Sequence, residues 1–304
     1  MPFFSIIIPC YNATKTLGDT LDSIAAQTDT DWEALIIDDG STDATWAMAV
    51  DRAARDSRIK VYRNPARGPS AARNDGAFRS RGQVIAFCDA DDLWLPEKLA
   101  RMRSAFACAD VDGAFARIAF FDDRGSRTES QVPEGALTVP MLLGENPVCT
   151  MSNVAVRRAV FLETGGFDTT LVHNEDLEWL IRLAGQGFRM IGLPDLLVRY
   201  RTSPTGLSAD IRAMQAGRRA ALVTAARLGF APDSRAEAIH MRYLARRALR
   251  TDAPPMQSLR LAVEGAMMSP RGFFSDLKRG ALTLAGAICA PVMPRGMRRS
   301  LFSH

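Results

Sequence analysis

Through its first hundred residues the chain alternates short apolar runs with stretches whose apolar positions recur at helical spacing. Phe3–Pro9, Trp32–Asp38, Ile59–Arg63 and Val84–Cys88 are apolar and rich in β-branched residues, and predict strands. Between them, Thr14–Gln27 sets Leu17, Leu21, Ile24 and Ala25 at helical spacing, and Asp43–Arg55 and Ser70–Arg81 also read as helices. Pro96 reads as the first-turn proline of a further helix, Pro96–Ala107. Strands separated by single helices predict an α/β fold with a Rossmann-like, mostly parallel sheet and helices on both faces. In such sheets ligands gather beyond the carboxyl ends of the strands. The polar residues that follow each strand are therefore where chemistry is expected.

Beyond residue 110 the pattern is less regular. Gly113–Phe121 and Val154–Val156 read as strands, Leu177–Gln186 as a helix, and Met190–Leu193 and Leu196–Tyr200 as two short extended runs. After Thr205 the chain turns Ala-, Arg- and Leu-rich, and predicts helices near 209–229, 234–250, 256–267 and 272–289, separated by Pro232, Pro254-Pro255 and Pro270.

Charge divides the chain at the same place. The overall net charge is a mild +4, but residues 1–204 carry 22 basic and 28 acidic side chains, and residues 205–304 carry 16 and 6. An apolar content of 47% supports a sizeable core. The five cysteines are scattered without a C-x-x-C pair, which argues against a zinc site or a redox motif and is consistent with reduced cytosolic thiols. Met1–Ser5 lacks the basic region of a signal peptide, and no stretch reaches the roughly 18–20 apolar residues of a membrane span.

Three strand ends stand out. The first is Pro9-Cys10-Tyr11-Asn12, the second Asp38-Asp39-Gly40-Ser41-Thr42-Asp43, and the fourth Asp89-Ala90-Asp91-Asp92. Three carboxylates at one strand end repel each other, and a hard divalent cation such as Mg²⁺ or Mn²⁺ is the natural recipient. A solvated acidic turn is the plainer alternative. Neither form of glycine-rich phosphate loop occurs, so a bound nucleotide would need a metal and basic side chains at its phosphates.

Five motifs in order, Ser5–Asn12, Ile37–Asp43, Ala71-Ala72-Arg73-Asn74, Asp89–Asp92 and Asn174-Glu175-Asp176 with Trp179, resemble the family 2 inverting glycosyltransferases of bacterial polysaccharide synthesis, which have a GT-A fold. The resemblance spans roughly residues 3–205. It implies a metal-dependent transferase that moves a sugar from a nucleotide-sugar, in most such enzymes a UDP-sugar, to a hydroxyl of a saccharide or lipid-linked saccharide. It further implies that Pro9, Tyr11 and Asn12 flank base and ribose, that Asp39 accepts from the uracil N–H, and that Arg73 lies near base or diphosphate. Asp91 is then the main metal ligand, with Asp89 as a supporting or ribose contact, and Asp92 either helps or caps the next helix. Asp176 matches the family's catalytic base, with Glu175 beside it. Trp179 packs on the acceptor or in the core, and Arg199, Arg201 and Ser208 fall where a basic loop closes over the diphosphate. That loop often carries a histidine, and Arg201-Thr202-Ser203-Pro204 departs from the pattern. The expected organisation is a catalytic domain over 1–205, with nucleotide-sugar binding in 1–110 and acceptor binding in 111–205, then a basic helical extension over 206–304.

Gly280–Pro294 is mostly apolar and flanked by Lys278, Arg279, Arg295, Arg298 and Arg299, a pattern suited to the anionic inner leaflet. A cytoplasmic location, peripheral on the inner membrane, follows from that reading; a cap or dimer contact is the alternative. Nucleic acid is not expected, since no recognised binding module is present. Two rival functions stay open. An aspartate-nucleophile phosphatase wants Thr or Val where Leu93 stands, and a catalytically silent nucleotide-sugar-binding module would have no need of Asp176.

Overall fold

Ile6, Ile7 and Ile8 are all fully buried, so both faces of the strand they occupy, β1 (Phe4–Cys10), are covered. This is why the run reads as continuously apolar rather than alternating. The computed structural model describes residues 1–122, 125–202, 211–251, 253–294 and 298. They form two compact units.

The first unit comprises Met1–Leu137 and Pro147–Thr202. It begins with β1, α1 (Leu17–Ala25), β2 (Trp32–Asp38), α2 (Thr45–Arg55), β3 (Ile59–Arg63), α3 (Pro69–Arg79) and β4 (Val84–Phe87). The strands lie parallel in the order β3-β2-β1-β4. Cys10 is in register with Asp38 and Ile7 with Phe87, so the carboxyl ends of β1, β2 and β4 emerge side by side. Helix α3 lies against β1 at unusually close range: a methyl group on Gly76 would sit 2.5 Å from Ile7 Cγ2. Glycine permits that approach, and Arg73, one turn earlier on the same helix, is carried over the strand ends.

The second half of the sheet is mixed. After β5 (Leu93–Trp94) and α4 (Lys98–Phe106) come β6 (Gly113–Asp122), β7 (Gly125–Glu129), β8 (Ala155–Arg157), α6 (Arg158–Glu163), α7 (Glu175–Gly185) and β9 (Met190–Arg201). They extend the sheet as β4-β8-β6-β9-β5, with β7 on β6. Strand β8 is antiparallel to β4 and β6, and β9 runs parallel to β6 and antiparallel to β5. The two extended runs expected at 190–193 and 196–200 are one strand. Pro194-Asp195 falls at a shift of register with β6, where a residue without an N–H can sit without breaking the ladder. Pro96 likewise lies in the turn before α4 rather than inside it.

The second unit comprises Thr138–Asn146, with α5 (Val139–Gly144), and the described residues after Thr202. Its helices are α8 (Ile211–Arg227), α9 (Ser234–Arg250), α10 (Pro255–Met268), α11 (Pro270–Phe273) and α12 (Leu277–Cys289). The single helix expected over 272–289 is therefore broken. Asp276 accepts from the Arg279 N–H at 2.9 Å and caps a new helix. Small residues dominate the core, where Ala238, Ala245, Ala262 and Ala287 close around Phe273. No helix among the described residues is long and apolar enough to cross a membrane.

Candidate active site

The loops after β1 and β2 are fastened together by one side chain. Asn12 takes a positive φ of 49°; its N–H donates to Ser41 Oγ at 3.0 Å, and its Oδ1 accepts from the Thr42 N–H at 2.8 Å. Tyr11 beside it is 58% exposed and offers its ring to solvent. Asp38 is fully buried, accepts from the Gly40 and Ser41 N–H groups and pairs with Arg63. Burial and the Asp38 charge push the Cys10 thiol up to about 12, so it is not a nucleophile at neutral pH. Asp39 reaches the other way, accepting from Asn64 Nδ2 at 2.6 Å and the Gly68 N–H at 2.9 Å. It thereby holds the loop that leads into α3.

Arg73 is the centre of the arrangement. It is only 6% exposed, and its guanidinium donates to Asp89 Oδ1 at 2.6 Å and to Glu175 Oε1 at 3.0 Å. The cation received by the acidic strand end is thus, in the first place, an arginine. Arg73 bridges two carboxylates that stand on separate segments of the chain. The next residue, Asn74, accepts from the Phe167 N–H and donates to the Phe167 carbonyl, at 2.9 and 2.8 Å. This clamp sets the Phe167 ring 5.7 Å from the Arg73 guanidinium.

The acidic residues point in different directions. Asp89 is also held by Ser152 Oγ, which accepts from its N–H at 2.9 Å, and by Thr150, whose hydroxyl donates to Oδ2 at 3.4 Å. Asp92 is fully buried, and its Oδ1 accepts from the Arg201 N–H at 2.9 Å. It does not cap α4, whose first residue is six positions on. Burial, with the charges of Asp91 and Asp89, raises its pKa far above the carboxylate range. Asp91 is partly buried; burial, then the Asp89 charge, raise its pKa to about 6, against the pull of Arg201. A half-buried carboxylate beside another is a receptor for positive charge. No group of three or more acidic, His or Cys ligands converges among the described residues. The neighbouring carboxylates Asp89 and Asp91 would fit a hard cation that takes one or two carboxylates and completes its shell with phosphate oxygens and water.

Arg201 ties this strand end to β9: its Nε donates to the Asp91 carbonyl at 2.9 Å and its Nη2 lies 3.5 Å from Asp19. Arg199, two residues earlier, stacks on Phe121 at 4.6 Å, as Arg201 does at 4.7 Å. Ser208 lies outside the described residues. Beneath the acidic turn, fully buried Lys98 donates to the Asn153 carbonyl at 3.3 Å, and burial lowers its pKa to about 7.

Helix α7 begins at Glu175 after Asn174, which takes a left-handed φ of 59°. Asp176 is partly buried in its first turn; burial and the neighbouring Glu175 raise its pKa to about 7, against the pull of Arg73. Trp179 is core: it is fully buried, its indole N–H donates to Thr164 Oγ1 at 3.0 Å, and its ring packs 5.4 Å from those of Phe161 and Phe167. The structure therefore brings Asp89, Arg73 and Glu175 into one ion-paired chain, and Asp91, Asp92 and Arg201 into a second cluster. Thr150, Ser152 and Lys98 were missed by the sequence reading. The only signal was a short polar stretch, Thr150–Asn153, ahead of an apolar strand.

Residues 5–165, just over half of the chain, match Glycosyl transferase family 2. The chain belongs to that family. It is a glycosyltransferase, and the sheet described above is its GT-A fold. Over 208 residues it is 29% identical to WfgD of Escherichia coli, a UDP-Glc:α-D-GlcNAc-diphosphoundecaprenol β-1,3-glucosyltransferase, covering 68% of this chain and 79% of that one. It is 29% identical over 213 residues to TuaG of Bacillus subtilis, a putative teichuronic acid biosynthesis glycosyltransferase, covering 69% and 82%. In structure it resembles residues 1–349 of S. aureus TarS, solved with UDP-GlcNAc. The TM-score is 0.64 at 18% identity, over 99% of this chain and 90% of that one.

Proposed function

We propose that this glycosyltransferase moves a sugar from a UDP-sugar to a hydroxyl of a saccharide or lipid-linked saccharide, with inversion, in the assembly of a cell-surface polysaccharide. The observation that carries the reading is the Arg73 bridge, which joins the acidic strand end to the residue next to Asp176. The named activities of WfgD and TuaG support the substrate classes. Residues 1–110 then supply most donor contacts and 111–205 the acceptor side.

In this reading Tyr11 offers its exposed ring to the base. Pro9 and Asn12 shape that edge of the pocket. Asp39 Oδ2, which accepts from the Gly68 N–H, keeps capacity to accept from the uracil N–H. Asp89 contacts the ribose or supports Asp91, which would hold Mg²⁺ or Mn²⁺. When bound, the ion supplies Lewis-acid stabilisation of the departing diphosphate. Asp176 accepts the proton of the acceptor hydroxyl as its oxygen bonds to the anomeric carbon. The carbon–phosphate oxygen bond breaks, and its electron pair leaves with UDP. Attack opposite the leaving group inverts the centre, giving a β-linkage from an α-linked donor. A carboxylate near pKa 7 is well matched to this task at neutral pH. Arg73 and Glu175 position the two sides, Arg201 braces β9 against the acidic turn, and Arg199 stacks on Phe121. A lipid-linked acceptor would place the reaction on the cytoplasmic face of the membrane.

The test is a donor screen with Mn²⁺ on the wild type, Asp176→Asn and Asp91→Asn. Asp176→Asn is expected to bind UDP normally and lose at least about 10²-fold in turnover. Asp91→Asn should lose the metal-dependent part of UDP binding. Wild-type turnover in Asp176→Asn would remove the base assignment. Donor binding without transfer to any saccharide acceptor would favour a silent binding module.

A further inference from the structure

Helix α12 is built inside out. Its buried positions are Gly280, Thr283, Gly286 and Ala287, all small. Leu284 alone of its large apolar residues packs against the core; the others point outward, with Leu277 73% exposed, Leu282 51% and Ile288 57%, and Val292 just beyond the helix is 86% exposed. Ala281, Ala285 and Cys289 share that exposed face, and Lys278 is its sole exposed charge. These positions recur every three or four residues, so they form one stripe along the helix. A helix that packs a soluble core does the reverse, turning large apolar side chains inward. A stripe of this kind marks an interaction site.

The chemistry selects the partner. Lys278, and Arg271 one element earlier, are exposed, and no acidic side chain pairs with either among the described residues. Residues 205–304 carry 16 basic side chains against 6 acidic ones. A second copy of so basic a unit would be repelled, whereas an anionic surface would be attracted. Thirteen helical residues span about 20 Å, short of the roughly 30 Å hydrocarbon core, so the helix can lie in a bilayer interface but not cross it. We propose that the outward face of α12, with Lys278 at its start, docks on a membrane leaflet rich in anionic lipid. Leu277, Leu282, Ile288 and Val292 enter the headgroup–acyl boundary, and the cations pair with lipid phosphates. This deepens the peripheral location proposed above and is tested apart from sugar transfer.

The experiment is co-sedimentation of the full chain with vesicles of phosphatidylcholine alone or mixed equally with phosphatidylglycerol. The wild type is expected on the mixed vesicles and not on the neutral ones, with binding weakened in high salt. The double variant Leu282→Ser/Ile288→Ser should lose at least about tenfold in binding, and Lys278→Glu/Arg271→Glu should lose the preference for the anionic lipid. All four positions are exposed, so melting curves should match the wild type, and transfer to a soluble acceptor should persist. Equal binding of wild type and both variants overturns the proposal. So does a concentration-dependent dimer that Leu282→Ser/Ile288→Ser dissolves while no vesicle binding is seen.

Discussion

As the proposed base, Asp176 would draw its reactivity from its neighbours. Burial and Glu175 raise its pKa to about 7, and Arg73 pulls it down. Below that value the carboxyl is neutral and cannot accept a proton, so turnover should rise with pH and level off above about 7. Glu175→Gln removes a raising charge and frees Arg73 to act on Asp176. The acid limb should therefore move to lower pH, and a pH–rate profile that does not move, or moves up, refutes the coupling. Arg73 is open to a sharper test. Arg73→Met strands Asp89 and Glu175 without their cation and should cost about 3–5 kcal/mol in denaturant unfolding. Arg73→Lys should recover little, because a point charge cannot serve two carboxylates that a planar fork holds at once.

At the scale of elements, the close approach of α3 to β1 sets where Arg73 sits. Gly76→Ala forces its methyl against buried Ile7 and should destabilise by about 1–3 kcal/mol in urea unfolding, with a further loss of turnover as Arg73 is displaced. An unchanged midpoint would show that the contact relaxes freely. The strands that position the site were legible because each is buried on both faces and is apolar at most positions, with Ser5 and Glu33 the buried polar interruptions. The later elements were harder. Strand β5 has two residues, too few for a period, and β9 hides its continuity behind Pro194. The acidic motif and Asp176 could be found in the sequence. Their true neighbours could not: Arg73 meets Glu175 across 102 positions, and Thr150 meets Asp89 across 61. No local pattern encodes such pairings.

At the scale of the whole molecule, the two units should answer pH in opposite senses. In the first, Asp91 and Asp176 have folded pKa values of about 6 and about 7, above their usual value. Their contribution to stability is complete below about pH 4 and is lost as pH rises through those values. In the second, burial lowers His240 to about 3, below its unfolded value, so stability is lost as pH falls below about 6.5. All four tryptophans, Trp32, Trp46, Trp94 and Trp179, belong to the first unit, whereas helices make up the second. Acidification from pH 7 to pH 5 should raise the melting midpoint seen by tryptophan fluorescence and lower the midpoint of the second unit's helices, read by hydrogen exchange at their amides. Midpoints that move together would show that the units melt as one.

The Arg73 bridge also bears on how such an enzyme can be re-engineered. In the proposed reading Asp89 stands on the donor side and Glu175 beside the base, yet one buried guanidinium holds both. A library that varies the donor pocket at Asp89 alone will also disturb the far side of the site, and its best members will fail for reasons unrelated to donor fit. Changes of donor are more accessible when positions 73, 89 and 175 are randomised as a single block.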